Sequence, residues 1–266
     1  MNAAPLGVFD SGIGGLTVAR ALFERLPRES VIYFGDTARV PYGPKSPDTV
    51  RRYSGEILAF LLKRGVKAVV VACNTSTAHA LGALQRQSPV PVVGVIEPGA
   101  RAAVAATRTG NIGVIGTAGT VASGAYERAI KALRADACVH SQPCPLFVPL
   151  VEEAWFEHPA AELIAREYLE PLKRARVDVL VLGCTHYPLL KPLLSRVMGP
   201  DVQLVDSAEE TATAVARELE RLDLLANGGG GSNNHRFVVS DDEPHFRKVG
   251  ALFLGEKLKQ VEVVPL

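Results

Sequence analysis

Two stretches of this chain, VKAVVVACNTST at 66–77 and VDVLVLGCTHYP at 177–188, read as one device used twice. Each is an apolar run that closes on a cysteine and a threonine-containing turn, and the step from Val66 to Cys73 equals that from Val177 to Cys184. Valine-rich runs this short read as strands buried on both faces. The repetition extends outward. GVFDSG (7–12) is echoed by GVIGTAG (113–119), LLKRGVKAVVVACNT (61–75) by PLKRARVDVLVLGCTH (171–186), and GVIEPGA (94–100) by QLVDSAE (203–209). An internal duplication of this kind predicts an α/β protein of two similar lobes related by a pseudo-twofold, each a mainly parallel sheet flanked by helices. Residues 1–98 would form the first lobe and 99–206 the second, with 207–266 packing back on the first. The functional cleft is expected between them.

The intervening sequence fits that plan. VIYF (31–34), VPVVGVI (90–96), NIGVIG (111–116) and VQLVD (202–206) read as further strands. Ser46-Pro47 opens a helix with a cap and a first-turn proline, and Val50, Tyr53, Ile57 and Leu61 follow on one face. Pro159 opens another. Ser207 with Glu210 has the spacing of a capping box, followed by Val215, Leu219 and Leu222 at helical intervals. GGGGSNN (228–234) reads as a flexible connection, and it lacks the G-K-[ST] that a phosphate loop requires.

Composition narrows the function classes. A chain of 266 residues with 47% hydrophobic and 21% charged content suits a globular protein. Its net charge of +1 gives no general attraction for nucleic acid or an anionic membrane. The N-terminus lacks a signal-peptide pattern, and no apolar run approaches the roughly 20 residues of a membrane span. A cytoplasmic location is expected, where the four cysteines, Cys73, Cys138, Cys144 and Cys184, stay reduced. Each is then a buried small hydrophobe or a working thiol.

Cys73 and Cys184 fall where ligands bind in such sheets, beyond the carboxyl ends of strands. Asn74-Thr75 and Thr185-His186 follow them before the next expected helix, whose free N–H groups would favour a thiolate. A single cysteine after an apolar run is more often core, but two at equivalent positions of a repeat point to a site. Asp10-Ser11 ends the first strand ahead of glycines that allow close approach of backbone to a small anion. Asp36 is a second strand-end carboxylate, with helix or turn capping as its ordinary role. Tyr42-Gly43 read as a turn able to close over a ligand. Glu152 and Glu153 read as a solvated helix start, and His186 shares a face with Cys184. Cys138, Cys144 and the remaining histidines read as structural. GIGG lacks the third glycine of a dinucleotide fingerprint.

Two opposed thiols suit a two-base racemisation, in which one removes an α-proton and the other delivers one to the opposite face. A free thiol titrates near ~8.5, so a modest depression would poise it near neutral pH. GVFDSGIGGLTV (7–18), YFGDTARVPYG (33–43), VVACNTSTA (70–78), GVIGTAGTV (113–121), LFVPLVEE (146–153), LGCTHYPLL (182–190) and DSAEETA (206–212) resemble, in order, the signature segments of bacterial glutamate racemases. The resemblance implies cofactor-independent interconversion of L- and D-glutamate, supplying D-glutamate for peptidoglycan, and a homodimer. It implies that Cys73 acts on D-glutamate with help from Asp10, and Cys184 on L-glutamate with help from Glu152 and His186. Asp36 is a weaker candidate for such help. Asp10, Ser11, Tyr42, Gly43, Asn74, Thr75, Thr117, Thr185 and His186 match substrate-holding positions. Ala154 stands where the resembled family carries glycine.

Three other readings remain open from the residues. They are an aspartate racemase of the same logic, a zinc hydrolase using Cys73, Cys184 and His186, and a two-lobed amino-acid-binding protein without catalysis.

Overall fold

The structure, a computed structural model, describes residues 3–226, 235–255, 258 and 260–266. The GGGGSNN stretch lies outside them. The chain first lays down β1 (Leu6–Asp10), α1 (Leu16–Arg25), β2 (Val31–Gly35), α2 (Pro47–Lys63), β3 (Ala68–Val71), α3 (Asn74–Gln87) and β4 (Val92–Gly94). It continues with α4 (Ile96–Ala106), β5 (Asn111–Gly116), α5 (Ala118–Ala122), α6 (Ala125–Leu133), β6 (Cys138–Pro143), α7 (Phe147–Glu152), α8 (Pro159–Arg174) and β7 (Val179–Gly183). A 3-10 turn at Tyr187–Leu190 leads to α9 (Lys191–Met198), β8 (Gln203–Asp206), α10 (Ala208–Arg221), β9 (Arg236–Val239), α11 (Glu243–Leu254) and β10 (Val261–Val263).

One sheet has the order β10-β9-β2-β1-β3-β4 and the other β6-β5-β7-β8, with every pairing parallel. The order β2-β1-β3-β4 therefore recurs as β6-β5-β7-β8. β1 matches β5 and β3 matches β7, as the repeated segments require. β9 and β10 extend the first sheet, so the strands after α10 have no counterpart in the second.

Strand alternation explains why these runs carry no polar face. In β1, Leu6 and Val8 enter one buried cluster while Phe9 enters another. In β7, Leu180 and Leu182 join that first cluster, and Val179 and Val181 face a third. The shared cluster also takes in Val215 and Leu219 of α10 and Phe246 of α11, so apolar packing runs continuously between the sheets. This places the carboxyl ends of β1, β3, β5 and β7 around one central gap.

Local signals hold in part. The Ser46 hydroxyl accepts from Thr49 N at 3.3 Å and caps α2, with Pro47 in its first turn. Pro159 opens α8, capped by His158, whose Nδ1 accepts from Ala160 N at 3.1 Å. The Ser207 capping box does not form. Ser207 has near-helical backbone and makes no side-chain cap bond, and Asp206 Oδ1 accepts from Ala208 N at 3.0 Å instead. The 90–96 run is strand only at Val92–Gly94, because Ile96 already begins α4.

Candidate active site

The first half-site is built at the ends of β1 and β3. Asp10 is buried, with Oδ2 accepting from Gly12 N at 3.1 Å and Oδ1 without a hydrogen-bond partner. Burial pushes its carboxyl above the ordinary range, opposed by the charge of His186 and by backbone N–H groups of the following turn. Cys73 is the N-cap of α3: its Sγ accepts from Ser76 N at 3.4 Å and its thiol donates to Ser11 Oγ at 3.7 Å. Capping alone would favour a thiolate. Cys73 is nevertheless only 5% exposed, and burial together with the Asp10 carboxylate pushes its thiol up to about 11. The depression expected from sequence is thus reversed, and Cys73 rests as a thiol at neutral pH.

The second half-site has the same backbone position and different chemistry. Cys184 follows β7 but caps no α-helix with its side chain. A 3-10 turn comes next, and the Cys184 carbonyl accepts from Tyr187 N at 3.1 Å. His186 Nδ1 lies 4.0 Å from Cys184 Sγ, and Nε2 lies 3.0 Å from Glu152 Oε1. Burial pulls His186 down, yet its hydrogen bonds and charge pairing with Cys184 and Glu152 outweigh that and hold it up at about 10. Burial raises Glu152, and the imidazolium overrides this to leave it below the usual carboxylate range. The result is a sulfur–imidazolium–carboxylate chain. Glu152 ends α7 rather than opening a helix, and Glu153 after it is exposed.

Both sulfurs line one cavity. Ser11, Tyr42, Gly43, Asn74 and Thr75 approach it from the first sheet's side, and Thr117, Thr185 and His186 from the second. Asp10 stands behind Cys73, and Glu152 behind His186. Sequence reasoning missed Val40, Pro41 and Val148, which complete the wall; apolar residues in a loop and a short helix carry no local signal of this role. The cavity volume is about 30 Å³, room for a water or two and too small for an amino acid. The gap is closed by Thr75 Oγ1 at 2.9 Å from Thr117 Oγ1, and by Gly119 N donating to Gly43 O at 2.9 Å.

Several expectations are corrected here. Asp36 hydrogen-bonds to neither thiol. It is fully buried, accepts from Tyr42 Oη and from Arg39 Nε at 2.7 Å on Oδ2, and from Ser240 Oγ at 2.9 Å on Oδ1. Its work is to fix the Tyr42 loop. Gly14, in the SGIGGL run, packs against side chains of the second half-site: a Cβ there would fall 2.3 Å from Thr185 Oγ1 and 2.4 Å from His186 Nδ1. Only glycine lets the start of α1 approach the second half-site so closely. Cys144 is buried as expected, but Cys138 is exposed at the start of β6 and is no core residue. Among the described residues, no group of three or more His, Cys, Asp or Glu is placed to hold a metal ion, Cys73, Cys184 and His186 included. No helix among them is long and apolar enough to cross a membrane.

Comparison with known proteins agrees with this geometry. The family described as Asp/Glu/Hydantoin racemase matches residues 11–215. A glutamate racemase of Geobacter metallireducens is 56% identical over 261 residues, spanning 98% of this chain and 96% of that protein. The crystal structure of a glutamate racemase isoform from Bacillus anthracis superposes with a TM-score of 0.95 at 41% identity, covering 100% of this chain and 99% of the other. That of a Francisella tularensis glutamate racemase in complex with D-glutamate gives 0.93 at 37%, covering 99% and 98%. With the family matching most of the sequence and whole-length relatives above half identity, this chain belongs to the Asp/Glu/Hydantoin racemase family, among its glutamate racemases.

Proposed function

We propose that this chain interconverts L- and D-glutamate without a cofactor, using Cys73 and Cys184 as paired bases, and so supplies D-glutamate for peptidoglycan. One observation carries the reading: two thiols at equivalent strand ends of a repeated sheet line the same cavity. The lobes are 1–98 with 207–266, and 99–206.

In the L-to-D direction Cys184, as thiolate, takes the α-proton of L-glutamate, while the Cys73 thiol delivers its own proton to the opposite face. The thiol state of Cys73 at neutral pH suits it to that delivery. In the reverse direction its proton must first leave, and Asp10 is the adjacent acceptor. His186 and Glu152 manage charge and proton at Cys184 in the same way. Ser11, Tyr42, Gly43, Asn74, Thr75, Thr117, Thr185 and His186 surround the substrate once the gap parts. The protein works in the cytoplasm as a homodimer, a state that sedimentation would check.

The test is incubation of metal-stripped protein with L-glutamate and no added cofactor, following optical activity. Decay to zero supports the proposal. Racemisation of L-aspartate in place of glutamate would move the substrate assignment to an aspartate racemase, and binding of glutamate with no loss of optical activity would indicate a non-catalytic protein.

A further inference from the structure

Asn74, the residue after Cys73, is 3% exposed and lines the cavity, yet its Nδ2 has no hydrogen-bond partner. A buried amide donor left unpaired is costly unless something arrives to accept from it. Its Oδ1 is occupied: Tyr126 Oη, on α6 of the other lobe, donates to it at 2.8 Å. Tyr126 is itself buried, packed by its ring into the core beneath β5 and β7. A Cβ added at Gly99 would lie 3.1 Å from the phenol oxygen and 3.2 Å from Ser207 Cβ, so the phenol sits where the chain crosses between lobes. The phenol proton is directed to Asn74.

An asparagine amide has two orientations that differ only in exchanging acceptor for donors. The phenol's donated bond selects one of them. We propose that Tyr126 is a positioning residue: by holding Asn74 Oδ1 it makes the amide present N–H donors, and not its carbonyl, to a carboxylate of the substrate. This rests on the glutamate reading above. It also assigns a role to a residue from the opposite lobe, 52 positions along the chain from the asparagine it holds.

The experiment is steady-state racemisation of glutamate by wild type, Tyr126→Phe, Asn74→Ala, the double variant and Asn74→Asp. Failure of wild type to racemise glutamate would remove the functional reading itself; the comparisons below apply to active wild type. Tyr126→Phe keeps the buried ring and should raise KM about tenfold with a much smaller change in kcat. In the Asn74→Ala background the same change should have no further effect on KM, because no amide is left to orient. Asn74→Asp, with Tyr126 intact, should bind glutamate more weakly than Asn74→Ala, since the phenol then holds an acceptor toward the substrate. An unchanged KM for Tyr126→Phe, effects that multiply in the double variant, or an Asp variant that binds as well as the Ala variant would each overturn the proposal.

Discussion

Cys73 and Cys184 occupy the same place in a repeated sheet and have different neighbours. Cys73 caps a full α-helix and faces a carboxylate; Cys184 precedes a 3-10 turn and faces an imidazolium paired with a carboxylate. The comparison separates two levels of design. Duplicated backbone delivers the sulfurs to one cavity. The proton chemistry around each comes from residues that the duplication does not share: Asp10 has no ionisable counterpart at the end of β5, where Gly116 stands, and His186 answers to Thr75. A racemase needs both thiols within reach of one carbon, and it does not need them to be held in the same resting state.

The largest expected effect comes from removing either sulfur. Cys73→Ala and Cys184→Ala should each abolish measurable racemisation while far-ultraviolet circular dichroism stays unchanged, and a variant retaining near-full activity would break the pairing. Next comes the asymmetry between partners. His186→Asn should lower kcat by about 10²–10⁴-fold, with kcat/KM falling equally in both directions, as an equilibrium constant of unity demands.

The same variant has a signature in stability. His186 is held at about 10 against an ordinary 6.5, so its protonation stabilises the fold fully below about pH 6.5. The folded chain binds more protons than the unfolded one between those values, and stability from this group is lost as pH rises through that window. Denaturation measured at pH 6 and pH 10 should show a smaller decline in His186→Asn than in wild type.

Two carboxylates at the ends of adjacent strands sharpen the contrast further. Asp10→Asn should depress kcat, because it removes the proton acceptor beside Cys73. Asp36→Asn should leave chemistry largely intact, destabilise the fold by about 1–3 kcal/mol through its broken hydrogen bonds, and raise KM a few-fold by loosening Tyr42. The smallest effect concerns Ala154, just past Glu152, with φ of 56° in the left-handed region. Ala154→Gly should stabilise by up to about 1 kcal/mol in chemical denaturation, and a loss of stability would show that the turn needs its methyl group.

Much of this was legible in the sequence because strand burial and strand ends are local properties. The runs ending at Asp10, Cys73 and Cys184 are too short and too apolar to be anything but buried strands, and the repeat then sets them facing one another. β6 was not legible. CVHSQP is a half-exposed edge strand whose residues carry no alternating pattern. Asp10 and Asp36 look alike locally, and they are told apart by Ser240, far along the chain in sequence. The Cys73 thiol misled for the same reason. Its helix-capping position is local and favours ionisation, whereas burial and the Asp10 charge are tertiary and prevail. Tyr126 gives no sign in sequence of its bond to Asn74.

The central claim is that two separate groups, on opposite faces of one carbon, exchange protons with it. The most direct measurement runs wild type with L-glutamate in D2O and reads the α-position of both enantiomers during the first tenth of conversion. The account predicts deuterium in essentially all the D-glutamate formed while the remaining L-glutamate stays unlabelled. Early D-glutamate retaining its protium, or L-glutamate labelled as fast as product appears, would point to a single base and contradict it.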